Sequence, residues 1–312
     1  MSIAVATKKI KSLVRSHRDH SQNVAYLYIL PWILGFLIFQ LYPLGASFVY
    51  SFTDFSILTS MKFVGLDNYK RLIATDSIFR QSLLVTLKYV VIAVPLKLAF
   101  ALLVAMLMNM KLRFIGTFRT LFYLPSLLGG SVAIAILWRA IFSRDGIINR
   151  LSPFPAVDWL GNPDVAMYTL GSLVIWQFGS SMLLFLAGLK NIPAELYESA
   201  KIDGAGPLST FGRITFPMIS SILFFNIIMQ TLYAFQEYTS PALITGGGPM
   251  KETYLYTMMM YETGFRYMKM GYASAQSWIL FMVVMAFTLV VFKSSKYWTY
   301  YEDGGEFTSG KK

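Results

Sequence analysis

Six apolar runs, each about the length of a membrane-spanning helix, constrain this chain more than any other feature of its sequence. A helix needs about 20 predominantly apolar residues to cross the roughly 30 Å hydrocarbon core of a bilayer. In lipid only helices and closed barrels satisfy their own backbone polar groups, and runs of this length favour helices. The runs are Val24–Tyr50, Leu83–Met108, Thr120–Phe142, Ala166–Leu189, Pro217–Thr239 and Ala273–Phe292. The sequence therefore predicts an all-α polytopic membrane protein with six transmembrane helices.

The composition favours a lipid environment over an aqueous one. Of the 312 residues, 14% are charged and 55% are hydrophobic, whereas a soluble domain carries about 25% charged residues. Cysteine is absent, which excludes a disulfide framework and a thiolate metal site. The two histidines, His17 and His20, lie in the polar N-terminal segment. No histidine is therefore available inside the membrane to activate a nucleophile or bind a metal.

The distribution of Lys and Arg predicts that both termini lie in the cytoplasm. With the N-terminus inside, the cytoplasmic segments carry fifteen basic residues and the external segments carry nine, as the positive-inside rule requires. The first apolar run is too long for a cleaved signal peptide, so we expect a retained signal anchor. This reading gives a cytoplasmic N-terminal segment at 1–23, a transmembrane domain at 24–293 and a cytoplasmic tail at 294–312.

Proline and glycine interrupt the first three runs. The positions are Pro31 and Pro43 in the first run, Pro95 in the second, and Pro125 with Gly129-Gly130 in the third. Such residues bend membrane helices and leave backbone groups that neighbours or water must satisfy. We expect bends here, either as ordinary kinks or as gating points.

The segment between the fourth and fifth runs has the pattern of two short helices at the membrane surface. Pro193 suits the start of a helix, and Glu195 and Glu198 in its first turns complement the helix dipole. Asp203-Gly204 is expected to end this helix, with Gly204 supplying a conformation that a Cβ would penalise. The apolar side is predicted to comprise Leu196, Ala200 and Ile202. An amphipathic connector lying on the bilayer would show a similar pattern.

The spacing within this segment is more specific than a connector requires. Gly204 follows Glu198 by six residues, and Pro217 follows Gly204 by thirteen. This pattern resembles the EAA loop of ABC importer permeases of the sugar type, the group that includes maltose, glycerol-3-phosphate and lactose permeases. Ser199 stands where that family usually has Ala. The residues of the loop 193–217 that the resemblance assigns to coupling with an ATPase are Glu195, Glu198, Ser199, Ala200, Asp203, Gly204, Ala205 and Pro217.

Further segments extend the resemblance along most of the chain. They are Gly65–Tyr69, Phe118–Thr120 with Leu124-Pro125, Asp158–Pro163 and Thr245–Pro249. A six-span chain without a large external insertion is closer to the glycerol-3-phosphate and lactose type than to the larger maltose subunit. The resemblance implies the type I ABC importer permease fold in the bacterial cytoplasmic membrane.

The resemblance also implies how such a chain is driven. The short helix would dock in a cleft of a cytoplasmic ATPase, and closure of two ATPases around nucleotide would rock the spans between two states. No GxxxxGK[ST] sequence occurs in the chain, so ATP and Mg²⁺ would be bound by partner subunits, and no cofactor is expected here. The implied partners are a second homologous permease subunit, two ATP-binding cassette ATPases and an external solute-binding protein. The chain itself is not expected to be an enzyme.

Polar side chains inside the later runs are candidates for contacting a carbohydrate solute. Such residues are costly in lipid and tend to face a cavity or the bundle interior. Gln230, Tyr233 and Glu237 recur at helical spacing, which predicts one shared face. The resemblance places Tyr233, Gln236 and Glu237 where the maltose-type subunit contacts solute. The candidate set is Gln177, Ser180, Ser181, Gln230, Tyr233, Gln236 and Glu237, and hydrogen bonding between helices is the alternative role.

Lys97 lies in the middle of the second run, where a lysine costs about 2.5–3.5 kcal/mol on insertion scales. Three roles are open: an ion pair with a carboxylate of the partner subunit, contact with an anionic solute, or snorkelling to the interface.

Two other classes of protein compete with an ABC permease. A secondary transporter driven by an ion gradient would show inverted repeats and paired membrane carboxylates, but Glu237 is the only carboxylate clearly inside a run. A membrane enzyme would need acidic or metal-ligand residues that converge at one face. The scattered Asp54, Asp67, Asp76 and Asp145 form no such motif.

Overall fold

The computed structural model describes residues 27–57, 61–110 and 113–300. The predicted cytoplasmic segment 1–23 and most of the predicted tail, from residue 301 onward, lie outside the described residues. Within the described part the regular structure is helical, and an isolated β-bridge joins Thr53 to Phe63. The predicted all-α fold is confirmed for this part of the chain.

Thirteen helices in the described ranges account for the fold. In chain order they are α1 (Leu27–Tyr50), α2 (Asp67–Ala74), α3 (Ser77–Asn109), α4 (Ile115–Leu128), α5 (Val132–Ile141), α6 (Ile147–Leu151), α7 (Pro163–Trp176), α8 (Gly179–Asn191), α9 (Ala194–Ile202), α10 (Pro207–Phe235), α11 (Thr239–Ile244), α12 (Tyr256–Tyr261) and α13 (Met270–Ser295). Helix α12 continues as a π-helical turn over Glu262–Arg266.

Four of these helices are long and apolar enough to cross a membrane unbroken, namely α1, α3, α10 and α13. The third and fourth predicted spans are each broken into two helices. Helices α4 and α5 meet at an angle of 104°, and helices α7 and α8 meet at 48°. If each bent pair is one span, the described residues contain the six predicted spans.

The break in the third span falls where the sequence predicts a bend. Helix α4 ends at Leu128, and Gly130 has a φ of +74°, a value that L side chains rarely adopt. The fourth span breaks at Gln177 and Phe178, where the sequence has neither a proline nor a glycine pair that would predict a break. Its cause is therefore tertiary.

Prolines in two spans are accommodated by a widened helical turn. A π-helical turn at Leu37–Leu41 precedes Pro43, and another at Phe211–Thr215 precedes Pro217. Proline lacks an N–H and its ring crowds the carbonyl four residues back, so an extra residue in the preceding turn relieves that contact. Consequently α10 runs without a stop from Pro207. The predicted second short helix and the fifth span are therefore one continuous helix, and not two helices that meet at Pro217.

Helix α3 is the centre of the bundle and packs against α4, α7, α8, α10 and α12. Its inward stripe includes the fully buried Tyr89, Ala93 and Ala101. The Asp76 side chain caps this helix by accepting the Phe79 N–H at 3.0 Å. Small residues in the stripe let the neighbouring backbones approach closely, as membrane helix packing requires.

The segment Gly65–Tyr69, noted in the sequence as a family-like signature, fastens α2 to the end of α1. The Asn68 amide donates to the backbone carbonyls of Ser51 and Thr53, each at 2.9 Å. The Tyr69 hydroxyl donates to Ser51 Oγ at 2.7 Å. A short motif thereby closes the loop between the first two spans.

Thr86 offers a test of the central packing. Its hydroxyl is fully buried and accepts the Tyr256 backbone N–H at 2.8 Å, which joins α3 to the start of α12. Thr86→Val should lower the free energy of unfolding by about 1–3 kcal/mol, because a buried N–H loses its partner. Thr120→Val, at an exposed site where the hydroxyl bonds only within its own helix, is the matched control. Equal thermal midpoints for the two purified variants would contradict this role.

Candidate functional site

The first short helix of the loop between the fourth and fifth spans has the predicted limits. Pro193 is the N-cap of α9, and the helix ends before Asp203. Gly204 has a φ of +72°. Its N–H donates to the Lys201 carbonyl at 3.2 Å, and the Ala205 N–H donates to the Ala200 carbonyl at 2.9 Å. This pair of bonds is a Schellman motif, which uses a glycine at the left-handed position.

The two faces of α9 differ from the predicted ones. Ala200 is buried and the Tyr197 hydroxyl lies 3.1 Å from Thr215 Oγ1, so this face holds the helix against α10. Ile202, by contrast, is 86% exposed. The prediction that Leu196, Ala200 and Ile202 form one apolar side is wrong, because Ile202 is in the last turn and points away from the bundle.

The outward face of α9 carries the residues predicted to meet a partner. Glu195, Glu198 and Ser199 are all exposed. Leu208, in the first turn of α10, is 88% exposed. Large apolar side chains left open beside acidic ones are typical of a surface that another protein covers.

The two broken spans meet at a single serine. The Ser126 hydroxyl, on α4, donates to the Gln177 carbonyl and accepts the Ser180 N–H, both at 3.1 Å. These are the backbone groups that the break between α7 and α8 exposes, and lipid would leave them unpaired. We call Ser126, Gly129, Gln177, Gly179 and Ser180 the break junction.

Gly179 of the break junction allows the close contact between the spans. A Cβ on Gly179 would lie 2.7 Å from Tyr123 Cα, a backbone atom, so only glycine fits there. A Cβ on Gly129 would lie 2.7 Å from Gln177 Oε1, the end of a flexible side chain that can move aside. The sequence analysis did not find Ser126. A hydroxyl three residues before a glycine pair in an apolar run is the signal that could have found it.

The candidate solute residues near the end of α10 differ in exposure. Gln230 is buried, whereas Tyr233 is 60% exposed. Gln236 borders an otherwise mostly apolar groove of about 690 Å³ between α10 and α13. Helix α10 ends at Phe235, so Glu237 lies beyond the helix. Extrapolating the helical spacing through to Glu237 is what fails, since the chain turns there.

Glu237 has a structural contact of its own. Its carboxylate accepts the Ser240 N–H at 2.8 Å, in the first turn of α11, and its carbonyl accepts the Thr257 hydroxyl. Tyr89 of α3 was not among the residues predicted from the sequence, and its buried hydroxyl has no hydrogen-bond partner among the described residues.

Lys97 lies inside the helix bundle and is 7% exposed. In the described part of the chain it forms no ion pair within 4.0 Å. An inward-facing lysine is not on the lipid surface, where a side chain would snorkel.

The remaining candidates lie around the start of α8. Gln177 and Ser180 belong to the break junction, while Ser181 is fully buried with its hydroxyl unpartnered among the described residues. Three or more His, Asp or Glu side chains do not converge on a metal position anywhere in 27–57, 61–110 and 113–300.

A comparison with known families identifies the chain. Residues 97–297 match the family described as "Binding-protein-dependent transport system inner membrane component". This match covers more than half of the chain. The chain belongs to this permease family.

Relatives and solved structures agree with the assignment. The permease is 46% identical over 95% of its length to the "Probable ABC transporter permease protein YesP" of Bacillus subtilis (strain 168), covering 98% of that protein. It is 32% identical over 87% of its length to the "Lactose transport system permease protein LacF" of Rhizobium radiobacter, covering 93% of it.

The permease fold resembles a solved structure described as "Crystal structure of a bacterial ABC transporter involved in the import of the acidic polysaccharide alginate". The TM-score is 0.78 at 22% identity, with 90% of this chain and 98% of that one covered. The predicted type I importer fold and membrane location are confirmed.

The break junction yields a second prediction. In the permease, Gly179→Ala should lower stability by about 1–3 kcal/mol, because the new methyl group overpacks against the α4 backbone. Gly171→Ala is the control, since a Cβ there meets nothing within 4 Å and alanine favours helix. The thermal midpoints of the two variants measure the difference. A Gly179→Ala protein as stable as Gly171→Ala would show that the spans do not depend on this contact.

Proposed function

We propose that this permease forms the translocation path of an ATP-driven importer for a carbohydrate solute, with both termini in the cytoplasm. The observation that carries the proposal is the outward face of α9, which presents acidic and apolar side chains beside a glycine-dependent turn. Two relatives bear on the solute: one is named for lactose transport, and the solved neighbour is described as importing alginate.

The coupling step would act through α9. Its partner is an ATPase subunit whose cleft receives Glu195, Glu198 and Ser199, while Ile202 and Leu208 supply apolar contact area. Tyr197 and Ala200 anchor the same helix to the bundle. A push on α9 therefore moves α8 and α10 directly, since the chain enters α9 from one and leaves it towards the other.

The partners follow from what the chain exposes and lacks. Without a phosphate-binding GxxxxGK[ST] loop, ATP and Mg²⁺ would be bound by two separate ATPase subunits. A second permease subunit would cover part of the exposed apolar surface, and an external binding protein would deliver the solute. A second similar structure is described as a bacterial alginate ABC transporter in complex with an alginate pentasaccharide-bound periplasmic protein.

The solute path is proposed to run past Tyr233, Gln236 and Glu237, with Gln230, Gln177, Ser180 and Ser181 behind them. The exposed Tyr233 ring can stack on a sugar face. The Glu237 carboxylate uses one oxygen on Ser240 N–H, which leaves the other oxygen to accept a hydroxyl of the solute.

Substitutions at Gly204 and Gly206 test the coupling role of the loop. Gly204→Val should abolish solute uptake and stimulated ATP hydrolysis, because a β-branched residue at φ +72° costs at least about 1–2 kcal/mol and disrupts the turn. Gly206→Ala is the control, with a φ of −74° and nothing within 4 Å of its Cβ. Glu198→Lys should also uncouple transport. Wild-type uptake in either Gly204→Val or Glu198→Lys would refute the coupling role.

Substitutions at Glu237 test the solute path, because they can separate the charge of the carboxylate from its hydrogen bond to the Ser240 N–H. Glu237→Gln keeps an oxygen for the Ser240 N–H and removes the charge, whereas Glu237→Ala removes both and should cost about 1 kcal/mol of stability as well. Tyr233→Ala and Glu237→Gln should reduce uptake of the solute that raises the melting temperature of the cognate binding protein. ATPase subunits should copurify normally. Unchanged uptake in both variants would place the path elsewhere.

A further inference from the structure

A pocket of about 400 Å³ lies behind α9, between that helix, the start of α10 and the end of α3. From α9 it is lined by Tyr197 and Lys201, which are four residues apart and therefore share one side of the helix. Glu195 and Ser199 are each two residues from Tyr197, which places them on the opposite side at 3.6 residues per turn. A partner that covers the outward face of α9 therefore leaves this pocket open.

The pocket combines an apolar wall with one cation. Met106 of α3 and Phe211 of α10 supply apolar surface, and Lys201 is the charged residue of the lining. Lys201 is exposed and forms no ion pair within 4.0 Å among the described residues. An open apolar wall beside an unpaired ammonium group suits a peptide that carries an aromatic side chain and carboxylates.

The chain itself approaches this pocket along α10 after the end of α13. The Trp298 ring packs against the Phe224 ring, with centroids 6.1 Å apart, and two residues later the Tyr300 N–H donates to Ser220 Oγ at 2.8 Å. As the chain advances from Trp298 to Tyr300, its partners step back along α10. It therefore runs towards the start of α10, where Phe211 lines the pocket.

The residues after Tyr300 are long enough to reach the pocket. Phe211 lies nine residues before Ser220, which is about 14 Å along a helix at 1.5 Å per residue. Six extended residues, 301–306, span up to about 20 Å. The difference allows the chain to cross sideways over α10, and Phe307 comes next.

The sequence of the segment 301–312 complements the pocket. It reads YEDGGEFTSGKK, so that Glu302, Asp303 and Glu306 precede Phe307. The two lysines of the segment, at 311 and 312, lie beyond the aromatic residue. Three carboxylates and one large ring thus arrive together at a pocket that offers an ammonium group and an apolar wall.

Charge excludes the other terminal part of the chain as the occupant. Outside the described residues, 1–26 carries five Lys and Arg side chains and one Asp. Lys201 repels a segment of that charge and attracts the carboxylates of 301–312.

We propose that the segment 301–312 binds in this pocket, with its three carboxylates around Lys201 and the Phe307 ring against Met106 and Phe211. The bound segment ties the end of α13 to α9. That this tie acts on the coupling helix rests on the proposed function.

Cysteine cross-linking in the assembled transporter, held in nanodiscs, tests the docking, because the permease has no cysteine of its own. Thr210→Cys, in the pocket, should form a disulfide with Phe307→Cys on oxidation, read by mass spectrometry of the permease peptides. Leu208→Cys is the matched control, since this position is 88% exposed and lies on the other side of α10. The pocket pair should give at least about tenfold more disulfide, because only docking raises the effective concentration of the two thiols.

Charge reversal tests the role of Lys201. Lys201→Glu sets a like charge against the three carboxylates and should lower the disulfide yield about tenfold. Changing Glu302, Asp303 and Glu306 together to Lys should restore the yield in the Lys201→Glu protein, which a merely distorted loop would not allow. Lys190→Glu, at the end of α8 and outside the pocket, should leave the yield unchanged.

Hydrogen exchange tests the tie between α13 and α9. Deleting residues 302–312 should speed exchange of the α9 backbone amides, because the helix loses a contact that protects it. Unchanged exchange would overturn the tie.

The docking is overturned by equal yields from the Thr210 and Leu208 pairs, by an unchanged yield in Lys201→Glu, or by reversed carboxylates that fail to restore it. It is also overturned if the disulfide forms in neutral phosphatidylcholine nanodiscs and disappears when phosphatidylglycerol is added, since the pocket would then hold lipid headgroups. None of these measurements uses solute uptake or ATP hydrolysis. Gly204→Val still uncoupled and Gly206→Ala still active would therefore leave the proposed function standing and remove only the docking.

Discussion

The rest of this structure depends on one constraint, namely that lipid provides no partner for a backbone N–H or carbonyl. Four helices meet it by being continuous, but α4–α5 and α7–α8 do not. At the α7–α8 break the Ser126 hydroxyl of α4 serves the Gln177 carbonyl and the Ser180 N–H at once. Glycine at 179 lets the two spans come close enough for that bonding. Across the α4–α5 break the Ser131 N–H donates locally to the Leu128 carbonyl.

The break junction also lies in line with the coupling loop. Helix α8 leads from Gly179 to Asn191, a distance of about 20 Å at 1.5 Å per residue, and the chain then enters α9. A rigid helix with a bend at one end and a docking helix at the other can carry a displacement from a cytoplasmic partner to mid-membrane. The Schellman turn at Gly204 fixes the direction in which the chain leaves α9 towards α10.

Sequence reasoning worked where local chemistry decides the structure. Apolar length located the spans, Pro193 and Gly204 set the ends of α9, and the Gly129-Gly130 pair announced a break. Sequence reasoning failed where the conformation of a segment depends on its surroundings in the fold. Two helices were predicted where α10 is one, because a π-helical turn accommodates Pro217. Glu237 was put on a helical face that does not exist, because the chain turns after Phe235 and uses that carboxylate to begin α11.

The sequence by itself determined that this chain is a multi-span helical permease and set the limits of α9, because apolar length, proline and glycine act through local geometry. Only the tertiary structure decided which polar residues meet. The Gln177 carbonyl at the break is paired by Ser126, 51 residues earlier. The Tyr272 hydroxyl is bonded to Asp76, 196 residues earlier in the chain. Contacts of that kind depend on packing between distant segments, which a reading of local pattern does not contain.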